Sequence, residues 1–232
     1  MTVERSKAEE HPGETRLPAA VATVVAVALY ALLPSGLVLG PRYVVPVLEL
    51  LLFVPLVAAN PRRMTRQNVI LRRLAIALVL LIAATNAVAL ALLVHTLAGG
   101  RATQGPALLV AAGQVWATNI LMFALAYWEF DRGGPVRRTQ ADRKELPPAD
   151  FRFPQDEDHD AIAEVAARSS SATGWTPGFI DYLYCSITNS SAFSPTDTMP
   201  LSVRAKLLMA TESVSALLLS VLVIAKGVSL LK

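Results

Sequence analysis

The stretch Leu74–Ala98, LAIALVLLIAATNAVALALLVHTLA, decides the fold because it contains no Asp, Glu, Lys or Arg. A helix crosses a hydrocarbon core of about 30 Å with roughly 20 such residues. Backbone N–H and C=O groups in lipid must be bonded within their own segment, so a run of this kind forms a helix rather than an open strand. The stretch therefore predicts a transmembrane helix.

Four further blocks are predominantly apolar, and hydrophobic residues make up 53% of the 232-residue chain. Charged residues make up 17%, against about 25% in soluble domains. The pattern predicts an all-α polytopic membrane helix bundle with five transmembrane helices and one short membrane-embedded or re-entrant helix. The first block is too long for a cleaved secretory signal, so we expect it to be retained. The four blocks are Leu17–Leu39, Tyr43–Ala59, Pro106–Trp128 and Ala205–Ile224.

The whole chain divides by composition into four segments. Residues 1–16 are polar and mixed in charge, which predicts a disordered cytoplasmic tail. Residues 17–130 are expected to form a four-helix transmembrane region. Residues 131–176 have few apolar anchors, which predicts a polar, partly ordered cytoplasmic linker. Residues 177–232 are expected to hold a short helix, a polar turn and the last transmembrane helix.

Lys and Arg are concentrated in the loop after the second block and the loop after the fourth. The other two loops carry only Arg42 and Arg101. Cytoplasmic loops are enriched in Lys and Arg, so we expect the N-terminus and both basic loops in the cytoplasm. The same placement explains the net charge of +3, so the expected partner is the lipid bilayer and no nucleic acid. The basic residues are Arg62, Arg63, Arg66, Arg72 and Arg73, then Arg132, Arg137, Arg138, Arg143 and Lys144.

Two carboxylates, Glu49 and Glu212, lie within apolar blocks. An ionisable side chain there is costly and is a functional candidate by default, so both should face the bundle interior. One interpretation makes them ligands for an ion or a proton, facing Asn86, Gln114 or Asn119. The other makes these side chains hydrogen-bond partners between helices, each bond contributing about 0.6–2 kcal/mol. The spacing leaves both interpretations open.

Catalytic and cofactor-binding signatures are missing from the sequence. No P-loop, G-x-S-x-G or H-E-x-x-H motif occurs. The single cysteine, Cys185, excludes an internal disulfide and a Cys-based zinc site. The acidic run Asp156–Asp160 lacks the glycine and the ligand spacing of a calcium loop, so we expect it to be solvated. We therefore expect no enzyme, no cofactor and no metal centre.

The order of elements after Trp175 is the strongest functional lead. Thr176-Pro177 favours the start of a helix. This helix is too short to cross unaided, so it lies in the interface or enters the membrane and returns. Whether residues 177–194 cross or re-enter, and on which side the C-terminus lies, stays open. The apolar face is expected at Ile180, Leu183, Tyr184 and Ile187.

Four motifs mark the chain from its fourth block onward: Tyr127-Trp-Glu-Phe-Asp-Arg-Gly-Gly-Pro135, Asp150-Phe-Arg-Phe-Pro-Gln155, Phe179-Ile-Asp-Tyr-Leu-Tyr184 and Ala192-Phe-Ser-Pro-Thr-Asp-Thr-Met-Pro-Leu201. They resemble an uncharacterised bacterial family of multi-pass membrane proteins over roughly residues 70–232. The resemblance implies a protein of the bacterial inner membrane. It implies no activity, because the family has none assigned.

More distantly, Tyr182–Leu222 is similar to the pore module of two-helix potassium channels, which consists of a pore helix, a filter and an inner helix. Thr188 matches a pore-helix threonine, and Asp197 matches the aspartate after the filter. Where those channels have Thr-Val-Gly-Tyr-Gly, this chain has Ala192-Phe-Ser-Pro-Thr196, without either glycine. The resemblance implies a pore loop, and the missing glycines argue against ordinary potassium selectivity.

Two functions follow as expectations. The first is a channel- or permease-like conduit for an ion or small solute. The second is a non-transporting structural or interaction protein that docks a partner through residues 131–176. We also expect that the chain could form a homo-oligomer, because a two-helix pore module would require a tetramer. The candidate conduit residues are Glu49, Asn86, Gln114, Asn119, Thr188, Asp197 and Glu212.

Overall fold

The computed structural model describes residues 12–98, 105–157, 162–191 and 197–230. Its described helices are α1 (Leu17–Ala31), α2 (Val44–Ala59), α3 (Val69–Ala98), α4 (Gly105–Phe130), α5 (Pro135–Gln140), α6 (Ala163–Ala166), α7 (Ser170–Thr173), α8 (Phe179–Ser191) and α9 (Val203–Leu230). Two short antiparallel ladders join β1 (Glu14–Thr15) to β2 (Arg63–Met64) and β3 (Phe151–Arg152) to β4 (Met199–Pro200). The all-α prediction is confirmed.

Three helices, α3, α4 and α9, are long and apolar enough to cross a membrane. Helices α1 and α2 are also apolar, but they have only 15 and 16 residues. Helix α1 stops well before Leu39 because Pro34 disfavours helical backbone at the residue before it. Residues Ser35–Leu37 then form a single 3₁₀ turn.

Helix α4 is the centre of the bundle and packs against α1, α3, α8 and α9. Small residues such as Ala111 and Ala124 are buried in it, which lets neighbouring backbones approach closely. The outward faces of the bundle carry exposed apolar side chains, among them Leu51, Leu80 and Val110. An apolar exterior around a packed interior is what a lipid environment requires.

Helix α8 turns most of its predicted apolar face away from the bundle. Its buried residues are Phe179, Tyr182, Cys185 and Ser186, whereas Ile180, Tyr184 and Ile187 are exposed. The physical reason is that lipid accepts an apolar face, while hydroxyl groups must find partners inside the protein. The polar side of this helix is therefore its inner side.

The start of α8 and the start of α9 lie at the same end of the bundle. The backbone N–H of Phe179, the first residue of α8, donates to the Glu14 carboxylate at 2.6 Å. Arg204, in the first turn of α9, donates to the carbonyl of Phe130 at 3.2 Å. Because Glu14 precedes α1 and Phe130 ends α4, both contacts are made where α1 begins and α4 ends.

The far end of α8 lies deep along α9. Asn189 Nδ2 donates to the carbonyl of Met209 at 3.0 Å, and Ser213 Oγ donates to Asn189 Oδ1 at 2.9 Å. The 13 residues of α8 extend about 20 Å at 1.5 Å per residue. The chain thus runs into the bundle along α8 and is back at the starting end at β4. Residues 192–196, which carry the expected filter, lie outside the described residues.

Two segments expected to be loosely ordered are packed on this end of the bundle. Residues 1–16 were predicted to be a disordered tail, which is wrong for Glu14 and Thr15 because they pair with β2. The described portion of residues 131–176 buries Phe151 and Phe153 against Tyr182, with ring centroids 6.2 and 5.2 Å from that ring. These aromatic side chains give the segment a packed core that its polar composition did not predict. Residues 1–11 lie outside the described portion of the chain.

Candidate functional site

The Glu212 carboxylate is completely buried at the junction of α4, α8 and α9. Tyr127 donates its phenolic hydrogen to Oε2 at 2.5 Å, and Asn189 Nδ2 donates to the same oxygen at 2.7 Å. Ser190 donates to Oε1 at 2.9 Å, and the Ser186 hydroxyl contacts this oxygen too. Four side chains thus surround a single carboxylate. This is an arrangement that stabilises negative charge in a dry interior.

Residue spacing explains how α8 supplies three of these groups. Asn189 and Ser190 lie three and four residues after Ser186, which places all three side chains on one helix face. The same face carries Tyr182 and Cys185 one turn earlier. Ser186 Oγ also lies 2.8 Å from the Ile120 carbonyl of α4. The polar stripe is therefore held against α4 and α9 together.

The depth of Glu212 follows from its position in α9. It lies nine residues after Val203, which is about 14 Å along the helix at 1.5 Å per residue. A hydrocarbon core is about 30 Å thick. The carboxylate thus lies about half a core thickness along α9 from the first residue of that helix.

Glu49 forms a separate and sparser site between α2 and α3. Its side chain is 1% exposed, and the Thr85 hydroxyl is 3.5 Å from Oε1. Thr85 also lies 3.0 Å from the Leu81 and Ile82 carbonyls of its own helix. The other oxygen, Oε2, is buried without a hydrogen-bond partner among the described residues. Glu49 therefore keeps an acceptor available for a water, a proton or an ion.

Asn86 and Asn119 join α3 to α4 inside the bundle. Asn86 Nδ2 donates to Asn119 Oδ1 at 3.1 Å, and both side chains are buried. The Asn119 Nδ2 group is buried without a hydrogen-bond partner in the described portion of the chain. Both amides line a cleft of about 730 Å³ between α3, α4 and α9, together with Thr211 and Ser215. The pair therefore places polar groups on the wall of a groove.

The remaining predicted site residues do not join these clusters. Gln114 is half-buried on α4, and its carbonyl accepts from Thr118 Oγ1 at 2.9 Å. Thr188 turns its hydroxyl to the Tyr184 carbonyl of its own helix at 2.9 Å. Asp197 is exposed beside β4. The described residues thus hold three separate polar clusters rather than one continuous polar path.

A third carboxylate, Glu14, ties the N-terminal segment to the base of α8. It accepts from Trp128 Nε1 at 3.0 Å and from the Phe179 backbone at 2.6 Å. Arg138, whose side chain is completely buried, lies 3.4 Å from it. Burial raises the pKa of Glu14, against the lowering effect of Arg138 and the hydrogen bonds. One side chain therefore links α4, α5 and α8.

Asp131 has a similar linking role at the same end of the bundle. Tyr182 donates to Oδ2 at 2.5 Å, and the Asp150 backbone donates to Oδ1 at 2.7 Å. Arg138 donates to the Asp131 carbonyl at 3.1 Å and lies over the Tyr182 ring at 5.0 Å from its centroid. Arg132 stands 3.5 Å from the carboxylate. This end of the bundle is thus closed by a network of charged and aromatic groups.

The described portion of the acidic run serves ion pairs. Asp156 accepts from Arg132 at 2.7 Å, and Glu157 pairs with Arg152 at 2.5 Å. Residues 158–160 lie outside the described residues. Among the residues that are described, no group of three or more His, Cys, Asp or Glu side chains could hold a metal ion.

The sequence interpretation missed most partners of the buried carboxylates. From the sequence, Tyr127 is only part of a family motif, and Glu14 is expected to lie in a disordered tail. The spacing of Ser186, Asn189 and Ser190 was a usable signal, because a polar stripe on a short apolar helix must face other protein groups. No sequence signal connects Glu14 to Phe179.

Comparison with known proteins adds no indication of function, so the functional interpretation rests on the geometry of these clusters. No family model, no curated protein and no solved structure matches the chain.

Proposed function

We propose that the chain is a multi-pass protein of the bacterial inner membrane, in which α1, α2, α3, α4 and α9 cross the bilayer and α8 is re-entrant. The N-terminus lies in the cytoplasm, since the Arg-rich loops follow α2 and α4. Support for re-entry comes from the shared end at which α8 and α9 begin. This arrangement puts the C-terminus on the outer side.

We propose further that the bundle is a channel- or permease-like conduit for a proton or a small cation, with Glu212 as its acidic group. The observation that carries this proposal is the completely buried Glu212 carboxylate, where the far end of α8 meets α4 and α9. In the pore module that the sequence resembles, a helix likewise enters the membrane and the chain then returns to the same side. A buried carboxylate in a membrane bundle is a usual group of proton and cation pathways.

A flux measurement tests the conduit. The purified protein is reconstituted into liposomes, and proton, sodium and potassium fluxes are compared with those of Glu212→Gln and Glu145→Gln. Glu145 is exposed outside the spans, so its variant controls for the loss of one negative charge. We expect flux in the wild type and in Glu145→Gln and a loss of at least tenfold in Glu212→Gln. Absence of flux for all three ions in the wild type would reject the conduit.

A labelling experiment tests the re-entrant path separately. Cys185 is completely buried, so it is expected to resist a water-soluble maleimide. In the Asp197→Cys variant, the new thiol should react from the cytoplasmic side only, while the thiol of Lys226→Cys should react from the outside only. Reaction of Asp197→Cys from the outside would mean that α8 crosses, and the topology would then be wrong.

A second function has one specific observation in its favour. The described portion of residues 131–176 is anchored on the bundle through buried Arg138 and Phe151, yet it exposes Ile162 and Val165 beside α6. A rigid platform with exposed apolar side chains suits the docking of a protein partner. Crosslinking from a photoreactive residue at Ile162 in cells, with a control at Lys144, tests this alternative. Equal crosslinking at both positions would reject it.

A further inference from the structure

An arginine-rimmed cleft opens between α1, α2, α3 and α4 at the end where α1 begins and α4 ends. The space between its walls, open solvent included, is about 670 Å³. None of the three carboxylate and amide clusters discussed for the conduit lines it. The cleft is therefore an additional feature of the bundle.

The body of the cleft is apolar. Its wall on α1 carries Ala19, Ala20 and Thr23, and its wall on α3 runs from Leu71 to Val79. The Thr23 hydroxyl is bonded to the Ala19 carbonyl at 2.9 Å, so it offers the cleft little polarity. Eight residues along α3 correspond to about 12 Å, which is more than a third of a hydrocarbon core. An apolar chain thus has room to lie along the helices.

The mouth of the cleft is basic. Arg16, Arg66 and Arg72 line it together with Glu129. Arg72 pairs with Glu129, so Arg16 and Arg66 remain as the surplus positive charge. The exposed Arg66 side chain makes no ion pair within the described residues. Two guanidinium groups are thus available to an anion.

Arg16 carries a further sign of a missing partner. Its Nε is buried without a hydrogen-bond partner in the described ranges. Burial lowers the pKa of this guanidinium, while the nearby Glu129 carboxylate raises it. A phosphate at the mouth would supply the acceptor that Arg16 Nε lacks.

The loop that carries Arg66 is held in place over the cleft. Asn60 Oδ1 accepts from the Arg66 backbone at 2.9 Å, and Asn60 Nδ2 donates to the Arg66 carbonyl at 2.8 Å. The Arg16 backbone donates to the Arg62 carbonyl at 3.0 Å, next to the β1–β2 ladder. The backbones of the two arginines are therefore held by hydrogen bonds within one loop region, which favours preorganised recognition.

We propose that this cleft binds an anionic phospholipid, with the phosphate between Arg16 and Arg66 and a portion of an acyl chain along α1 and α3. Charge complementarity identifies the headgroup, and the apolar body identifies a membrane amphiphile rather than a free phosphate. Basic pockets between transmembrane helices are suited to such headgroups. The lipid site does not depend on the conduit.

Lipid retention by the purified full-length protein tests the proposal. Native mass spectrometry counts bound phosphatidylglycerol and phosphatidylcholine with identical acyl chains, and sn-glycerol 3-phosphate serves as the soluble competitor. We expect the double variant Arg16→Gln/Arg66→Gln to bind phosphatidylglycerol about 30-fold more weakly, at about fivefold for each lost charge. Arg73→Gln is the matched control, since Arg73 is exposed and adjacent to Arg72 but does not line the cleft.

A second variant examines the apolar region of the site. Ala75→Leu adds bulk inside the cleft and should reduce phosphatidylglycerol binding without a change of charge. Equal binding of both lipids by the wild type would overturn the proposal. Equal losses in Arg73→Gln and in the double variant would do so too. Displacement by glycerol phosphate at the concentration of the lipid would assign the site to a soluble phosphate instead.

Discussion

Removal of the Glu14 side chain is expected to loosen the end of the bundle, although the residue belongs to a segment that composition predicted to be disordered. The carboxylate accepts from the Phe179 backbone at 2.6 Å and from Trp128 Nε1 at 3.0 Å. It also lies 3.4 Å from the completely buried Arg138. Glu14→Ala therefore leaves two donors and one charge without their acceptor.

The size of the effect follows from these contacts. A buried donor left without a partner costs about 1–3 kcal/mol. Glu14→Ala leaves two such donors, Trp128 Nε1 and the Phe179 backbone N–H. Relief of the buried carboxylate, whose pKa is raised by burial, offsets some of it. We expect the free energy of unfolding to fall by about 2–4 kcal/mol.

Reversible unfolding in mixed micelles, followed by tryptophan fluorescence, measures this loss, because Trp128 loses its hydrogen-bond partner. Glu145→Ala is the control, since that side chain is exposed and its removal should change stability by less than about 0.5 kcal/mol. The reasoning is refuted if Glu14→Ala and Glu145→Ala unfold at the same denaturant fraction.

Three further outcomes are expected. Because burial raises the pKa of Glu14 above 4.5, its protonated form is favoured in the folded state. The stability of wild type relative to Glu14→Gln should be greatest below pH 4.5 and fall as pH rises through the folded pKa, as measured by unfolding at several pH values. Tyr182→Phe should lower the free energy of unfolding by about 1–3 kcal/mol. Tyr184→Phe should have little effect in the same assay, because Tyr184 is 53% exposed. Gly134→Ala should lower the free energy of unfolding by about 1–3 kcal/mol, because the φ of Gly134 is +94°. Gly113→Ala should raise the free energy of unfolding by about 0.5–1 kcal/mol, because Gly113 has open space around it.

The path of α8 has a consequence for the resemblance to a pore module. In the channels that the sequence resembles, the pore loop enters from the outer side. With the Arg-rich loops in the cytoplasm, α8 would enter from the inner side. The labelling of Asp197→Cys thus tests both the topology and the direction of the proposed conduit.

The sequence by itself determined the class of the protein and the position of its apolar helices. Long runs without charge, such as Leu74–Ala98, dictate helices because lipid offers no partner to an unpaired backbone group. The interior location predicted for Glu49 and Glu212 is confirmed by their burial, since a charge facing lipid is costly. These conclusions depend only on local composition, which a single sequence contains.

Only the tertiary structure decided which groups meet. The apolar stripe of α8 faces outward and its polar stripe faces Glu212, because lipid reverses the usual rule that the apolar side of a helix is buried. Glu14 and Phe179 lie 165 positions apart, and no periodicity relates them. Contacts of this kind arise when separate helices pack, so they are fixed by the shape of the bundle rather than by any one segment.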